Sequence, residues 1–238
     1  MRRLRVSRLA SMRMNRWLDR WIPPGLRDSR VFTWAVRRSY RDLPVDIVDF
    51  KERAFDLPRA EYARFYRALR SRVDQGPTDL TPESFDAVLA AAGGDTVLDV
   101  ACGLGELAAR LARPGRTVVG VDVAVRAGRR GRDDTVSWCE ADVERLPFRD
   151  GAFDTVVSTH TLEHVQHLGA TLTELRRVAR GRVVVVVPRQ RPYRVTFNPH
   201  VHFFPYRFSL LAWTGTDRRY DLELVGGDWL YVEQQGAP

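Results

Sequence analysis

Val97-Leu98-Asp99-Val100-Ala101-Cys102-Gly103-Leu104-Gly105-Glu106 runs an apolar strand into a glycine turn and then into a helix read over residues 104–111. Gly103 and Gly105 bring no Cβ, so a ligand can lie against bare backbone there. The helix start also offers N–H groups to a carboxylate or phosphate. Nucleotide and dinucleotide folds share this turn, and a tight strand-helix turn without a ligand reads the same way.

On either side of this segment the chain alternates strand and helix. Strands are expected at 96–100, 117–121, 135–139, 153–158 and 182–187, with the longer of two helices between the last pair at 168–179. These strands are rich in Val without polar alternation, as expected when both faces of a parallel sheet are covered. Upstream, a helix is expected at 59–73, broken by Gly76-Pro77, and another from Thr81-Pro82-Glu83 to about Ala92, before Gly93-Gly94. Downstream, a helix at 206–213 precedes strands at 220–225 and 229–232, an antiparallel pair joined by Gly226-Gly227-Asp228. The fold class is therefore α/β, Rossmann-like and doubly wound: a mostly parallel seven-stranded sheet with an antiparallel edge and an N-terminal helical arm.

Charge narrows the function less than it first suggests. The 238 residues carry a formal net charge of +8. Residues 1–60 hold 14 Arg and Lys51 against 7 acids, while the rest holds 23 Arg against 23 acids, so the whole excess sits at the N-terminus. The division expected is a basic arm or lid at 1–58 and a catalytic domain at 59–238. Cys102 and Cys139 make no disulfide framework, and no signal peptide or membrane-spanning run is apparent, so a cytoplasmic location is expected.

Further motifs refine the glycine turn. Asp122 ends Val118-Val119-Gly120-Val121, where an acid can accept hydrogen bonds from both ribose hydroxyls. To this point a nicotinamide dehydrogenase and a nucleoside-dependent transferase fit equally. Then come Glu140-Ala141-Asp142-Val143-Glu144 and Leu146-Pro147-Phe148-Arg149-Asp150-Gly151-Ala152-Phe153-Asp154, followed by Thr161-Leu162-Glu163-His164-Val165. Asp142 can receive the exocyclic amine of adenine while Val143 offers its N–H, and Phe148 and Phe153 are expected to pack on either side of the Asp150-Gly151 turn. In order and spacing these motifs resemble the class I S-adenosylmethionine-dependent methyltransferases of the small-molecule type, over about residues 81–230.

The resemblance implies S-adenosylmethionine as cofactor. Asp99, Ala101, Cys102, Gly103 and Gly105 would line its methionine end, Asp122 and Val123 its ribose, and Asp142 and Val143 its adenine. Thr159, with the end of the fourth strand, would lie near the methyl group. Ala101 stands where many members of the family have glycine, a minor change if the turn keeps negative φ. Val178-Ala179-Arg180-Gly181-Arg182 lacks the family's usual Lys-Pro-Gly-Gly.

The sulfonium makes the methyl group electrophilic, so the protein's task is in-line positioning, with a base needed only for a weak nucleophile such as a hydroxyl. His160 and His200 are the candidate bases, although either could simply bond to loop backbone. His160, His164 and His167 carry a suggestive metal spacing, but His160 belongs to a strand end and no acid completes a ligand set, so no metal is expected. The partner expected is a small-molecule acceptor with a hydroxyl: a sugar, a lipid-linked compound or a secondary metabolite. If residues 13–22 are helical, Met14, Trp17, Leu18, Trp21 and Ile22 share a face opposite Arg13, Arg16 and Arg20. That arm suits a lid, or alternatively peripheral contact with an anionic membrane. No nucleic-acid module is recognisable, which ranks a nucleic-acid or protein methyltransferase below the small-molecule reading. A non-catalytic nucleoside-binding fold ranks lower still, given Asp99, Asp122 and Asp142.

Overall fold

The computed structural model describes residues 23–70, 78–124, 135–195 and 199–236. The chain divides into two compact units, one comprising residues 1–76 and 190–203, the other residues 77–189 and 204–238. This division differs from the expected boundary at residue 58, and the first unit takes a second piece of chain from beyond the fifth strand.

In the first unit the described helices are α1 (Pro24–Arg27), α2 (Arg30–Ser39), α3 (Ile47–Arg53) and α4 (Arg59–Arg70). Side chains start two of them: Ser29 accepts from the Phe32 N–H and Asp46 from the Val48 N–H. Their apolar faces enclose a core of their own, in which Phe50 and Phe65 stack with centroids 3.8 Å apart beside Val36, Ile47, Val48 and Val195. Residues 23–58 are thus a folded layer rather than an arm. The amphipathic pattern at 13–22 lies outside the described residues.

The second unit is built on one seven-stranded sheet in the order β3-β2-β1-β4-β5-β7-β6. The strands are β1 (Thr96–Val100), β2 (Thr117–Asp122), β3 (Val136–Glu140), β4 (Phe153–Thr159), β5 (Ala179–Pro188), β6 (Tyr220–Val225) and β7 (Asp228–Gln234). The first five are parallel, and β7 runs antiparallel to both β5 and β6. Each expected strand is present within a few residues, and the Gly226-Gly227 hairpin forms as read.

Helices cover both faces. α5 (Pro82–Ala91) and α6 (Glu106–Leu111) bury Phe85, Val88, Leu107 and Leu111 against Val97, Val157, Val184 and Val186. α7 (Leu168–Val178) and α8 (Arg207–Thr214) bury Leu172, Leu175 and Leu210 on the other side, against Leu98, Val156, Val183 and Val185. Successive valines of β5 therefore feed opposite cores, which is why that strand carries no polar face. Of the two helices expected between β4 and β5, the first is a single 3-10 turn, Leu162–His164. Phe148 and Phe153 meet each other edge to face, with centroids 5.0 Å apart.

Candidate functional site

The chain leaves β1 for β2 and β3 on one side of the sheet, then crosses back to β4 on the other. The region beyond the carboxyl ends of β1 and β4, at this topological switch, is the standard ligand position in such sheets. Asp99 and Asp122 reach those ends on β1 and β2, and Asp142 follows β3.

The turn after β1 is more contorted than the sequence suggests. Ala101 has φ +59°, Gly103 +56° and Gly105 +74°, the last preceding α6. The condition attached to Ala101, a negative φ, is not met: the residue carries its Cβ in the left-handed region, at a cost of roughly 1–2 kcal/mol. Two backbone bonds brace the turn, Cys102 N–H to the Val121 carbonyl at 3.0 Å and Gly105 N–H to the Cys102 carbonyl at 2.7 Å. The helix begins at Glu106 rather than at Leu104, because residues 103–105 form the turn itself.

The acids differ in what they already hold. Asp122 accepts the Gly103 N–H at 2.9 Å on one oxygen and the Ala124 N–H at 3.1 Å on the other. It therefore tethers the glycine turn, and Val123 follows it half-buried. Asp142 accepts from the Glu144 N–H at 2.9 Å, in a turn closed by the Arg145 N–H on its carbonyl, and Val143 lies half-buried between them. Asp99 is 2% exposed, and among the described residues its Oδ2 has no hydrogen-bond partner. Burial, aided by the charge of Asp122, pushes its carboxyl up to about 7. A buried acceptor in want of a donor, beside a backbone turn shaped by glycine, fits a ligand bearing an ammonium group and a ribose. Residues 99–105, 122–123 and 142–143 are thus compatible with S-adenosylmethionine.

At the end of β4, Thr159 is half-buried and His160 takes φ +48° while its N–H continues the ladder to the Val186 carbonyl at 2.9 Å. The His160 ring lies between two acids, its Nε2 3.3 Å from Asp228 and its Nδ1 3.4 Å from Glu163. Burial alone would lower its pKa, but the hydrogen bond to Asp228 and the pairing with Glu163 outweigh it and raise it to about 9. At neutral pH the ring is an imidazolium with no lone pair to accept a proton. This geometry does not fit the expected general base; it fits a strut.

His200 belongs to the first unit, where its Nδ1 bonds the Gln190 side chain. In the same unit His202 meets Phe55 edge-on. His167 pairs with Glu144 at 3.0 Å, so it and His160 are drawn to different carboxylates. Asp228, Glu163 and Ser84 are partners of this site that local sequence does not reveal. In the sequence Asp228 reads only as part of a turn, its one signal being an acid placed directly after two glycines.

A parallel sheet with a glycine turn after β1 and acids at the ends of three neighbouring strands is a Rossmann-like arrangement. Residues 98–187 match a family described as "Methyltransferase domain". The chain is 34% identical over 152 residues to the ubiquinone/menaquinone biosynthesis C-methyltransferase of Cupriavidus necator, covering 57% of this chain and 56% of that one. It is 43% identical over 89 residues to the malonyl-[acyl-carrier protein] O-methyltransferase of Geobacter sulfurreducens, covering 34% and 33%. The crystal structure of a SAM-dependent methyltransferase from Aquifex aeolicus superposes with TM-score 0.53 at 19% identity, over 71% of this chain and 96% of that one, a likeness of fold. Over residues 98–187 the chain is thus similar to methyltransferases, and its fold is like that of the S-adenosylmethionine-dependent enzyme from Aquifex aeolicus. It spans about half the length of the curated relatives it matches. Among the described residues no helix is long and apolar enough to cross a membrane.

Proposed function

We propose that this chain transfers a methyl group from S-adenosylmethionine to a small-molecule acceptor. The observation that carries the reading is the row of acids, Asp99, Asp122 and Asp142, at the ends of β1, β2 and β3 around a turn whose Gly103 amide is tied to Asp122. The cofactor, when bound, supplies a sulfonium-activated methyl group. The protein's own residues then bind and orient: Asp99 with the 101–105 turn at the methionine end, Asp122 and Val123 at the ribose, Asp142 and Val143 at the adenine. Thr159 and the His160 backbone shape the acceptor side. Holding donor and acceptor in line supplies most of the acceleration such a reaction needs.

The hydroxyl acceptor expected from the sequence has no support in a charged His160. The Cupriavidus relative is a ubiquinone/menaquinone biosynthesis C-methyltransferase, which favours a carbon acceptor instead. The test is calorimetry with S-adenosylmethionine, followed by labelled-methyl transfer to a reduced 2-alkyl-1,4-naphthoquinone. Asp122→Ala should weaken cofactor binding roughly 10–100-fold, the scale of losing charge-assisted hydrogen bonds. Unchanged affinity would remove Asp122 from the ribose site.

A further inference from the structure

The buried network around His160 extends beyond the matched domain, which ends at residue 187. Asp228, 8% exposed, opens β7 directly after the hairpin turn. Its Oδ2 takes both the His160 ring and, at 3.2 Å, the Ser84 hydroxyl. The single Ser84 hydroxyl proton is shared between Asp228 and the Val225 carbonyl at 2.9 Å, while its oxygen accepts from the Thr81 hydroxyl at 3.0 Å. The imidazole at the end of β4 thus meets the 3-10 turn that carries Glu163 and the start of β7 that carries Asp228, and Asp228 in turn meets the N-terminal turn of α5.

We propose that Asp228, braced by Ser84, is a positioning residue of the methyl-transfer site, holding the His160 ring and with it the left-handed backbone on which β4 turns toward the acceptor. The proposal rests on the methyltransferase reading above, which puts the end of β4 beside the methyl group. A φ of +48° is uncommon for any residue with a Cβ, although histidine tolerates it better than most. The surrounding contacts hold that conformation, and among the described residues the charged groups set against the ring are Glu163 and Asp228. Glu163 sits three residues away on the same turn and moves with it. Asp228 is 68 residues away on another strand, so it is the contact that anchors the turn to the sheet.

The test uses the full chain and reads the His160 ring by NMR titration. In the wild type its midpoint should lie near 9. In Asp228→Asn it should fall by at least one pH unit, and in Ser84→Ala by less. Exchange of the His160 amide, bonded to Val186, should speed at least tenfold in Asp228→Asn at a pH above its new midpoint. With the naphthoquinol probe, Asp228→Asn should lower kcat at least tenfold while the calorimetric affinity for S-adenosylmethionine stays within twofold; Asp228→Glu should restore part of the rate. An unmoved ring midpoint, or unchanged amide exchange, overturns the role given to Asp228. If Asp228→Asn fails to fold, the Ser84→Ala shift decides. Loss of cofactor binding in the wild type would instead overturn the methyltransferase reading, and absence of probe turnover with normal cofactor binding would overturn only the acceptor class, leaving the ring titration to judge Asp228.

Discussion

Ala101 holds a left-handed φ of +59° in a turn where both nearby glycines do the same. Replacing it with glycine removes roughly 1–2 kcal/mol of strain and adds about 0.4–1 kcal/mol of unfolded-state entropy. Ala101→Gly should therefore raise the stability measured by urea denaturation by about 0.5 kcal/mol. A loss of more than 1 kcal/mol would mean that the Cβ packs in a way that outweighs the strain. Neither left-handed residue was legible in the sequence, because backbone sign is imposed by what the turn must reach. Ala101 is fixed by the Cys102 bond to β2, and His160 by Asp228 on a strand far along the chain. The acids Asp99, Asp122 and Asp142 were legible because their place follows from strand ends, which periodicity gives.

At the level of elements, the hairpin between β6 and β7 closes against the start of α5. Thr81 caps that helix by accepting the Ser84 N–H at 3.2 Å. A Cβ placed on Gly226, which has φ +58°, would come within 1.9 Å of the Thr81 hydroxyl. Gly226→Ala should thus cost more than about 2 kcal/mol, combining a left-handed alanine with a steric clash. Thr81→Ala alone should cost about 1 kcal/mol for the lost cap. Because it also deletes the clashing atom, the double variant should be more stable than the sum of the two losses implies; strict additivity in denaturation experiments would show that the hairpin and helix do not meet as described. The sequence announced both elements, through Thr-Pro-Glu and Gly-Gly-Asp, yet not that they touch. Helix starts and turns are local chemistry, whereas their meeting depends on the sheet order β5-β7-β6.

Across the whole molecule, two buried groups make stability fall as pH rises. His160 has its pKa raised to about 9, so its contribution is complete below its ordinary value near 6.5 and is lost as pH climbs through 9. Asp99, raised to about 7 by burial, favours the protonated native state, so its penalty develops between its ordinary value near 3.8 and 7 and is constant above. Opposing them, the Arg180 guanidinium beside Asp154 holds that carboxyl far below the usual range, a stabilisation lost as pH falls through the acid region. Thermal melts should show the highest Tm in mildly acidic buffer and a decline toward pH 9.5. Asp99→Asn should flatten the arm below 7, and His160→Gln the arm above it. A Tm that stays level from 6 to 9.5 in the wild type would contradict both assignments.

One strand exit has a consequence for how the protein is made. After β5 the chain spends residues 190–203 completing the helical layer of the first unit, to whose core it donates Val195, before it returns to finish the sheet. The helices between residues 24 and 70 are synthesised first, yet their core lacks Val195 until residues 190–203 have emerged from the ribosome. Nascent chains arrested before that point should expose the faces of Phe50 and Phe65 to chaperones, and those arrested after it should hide them.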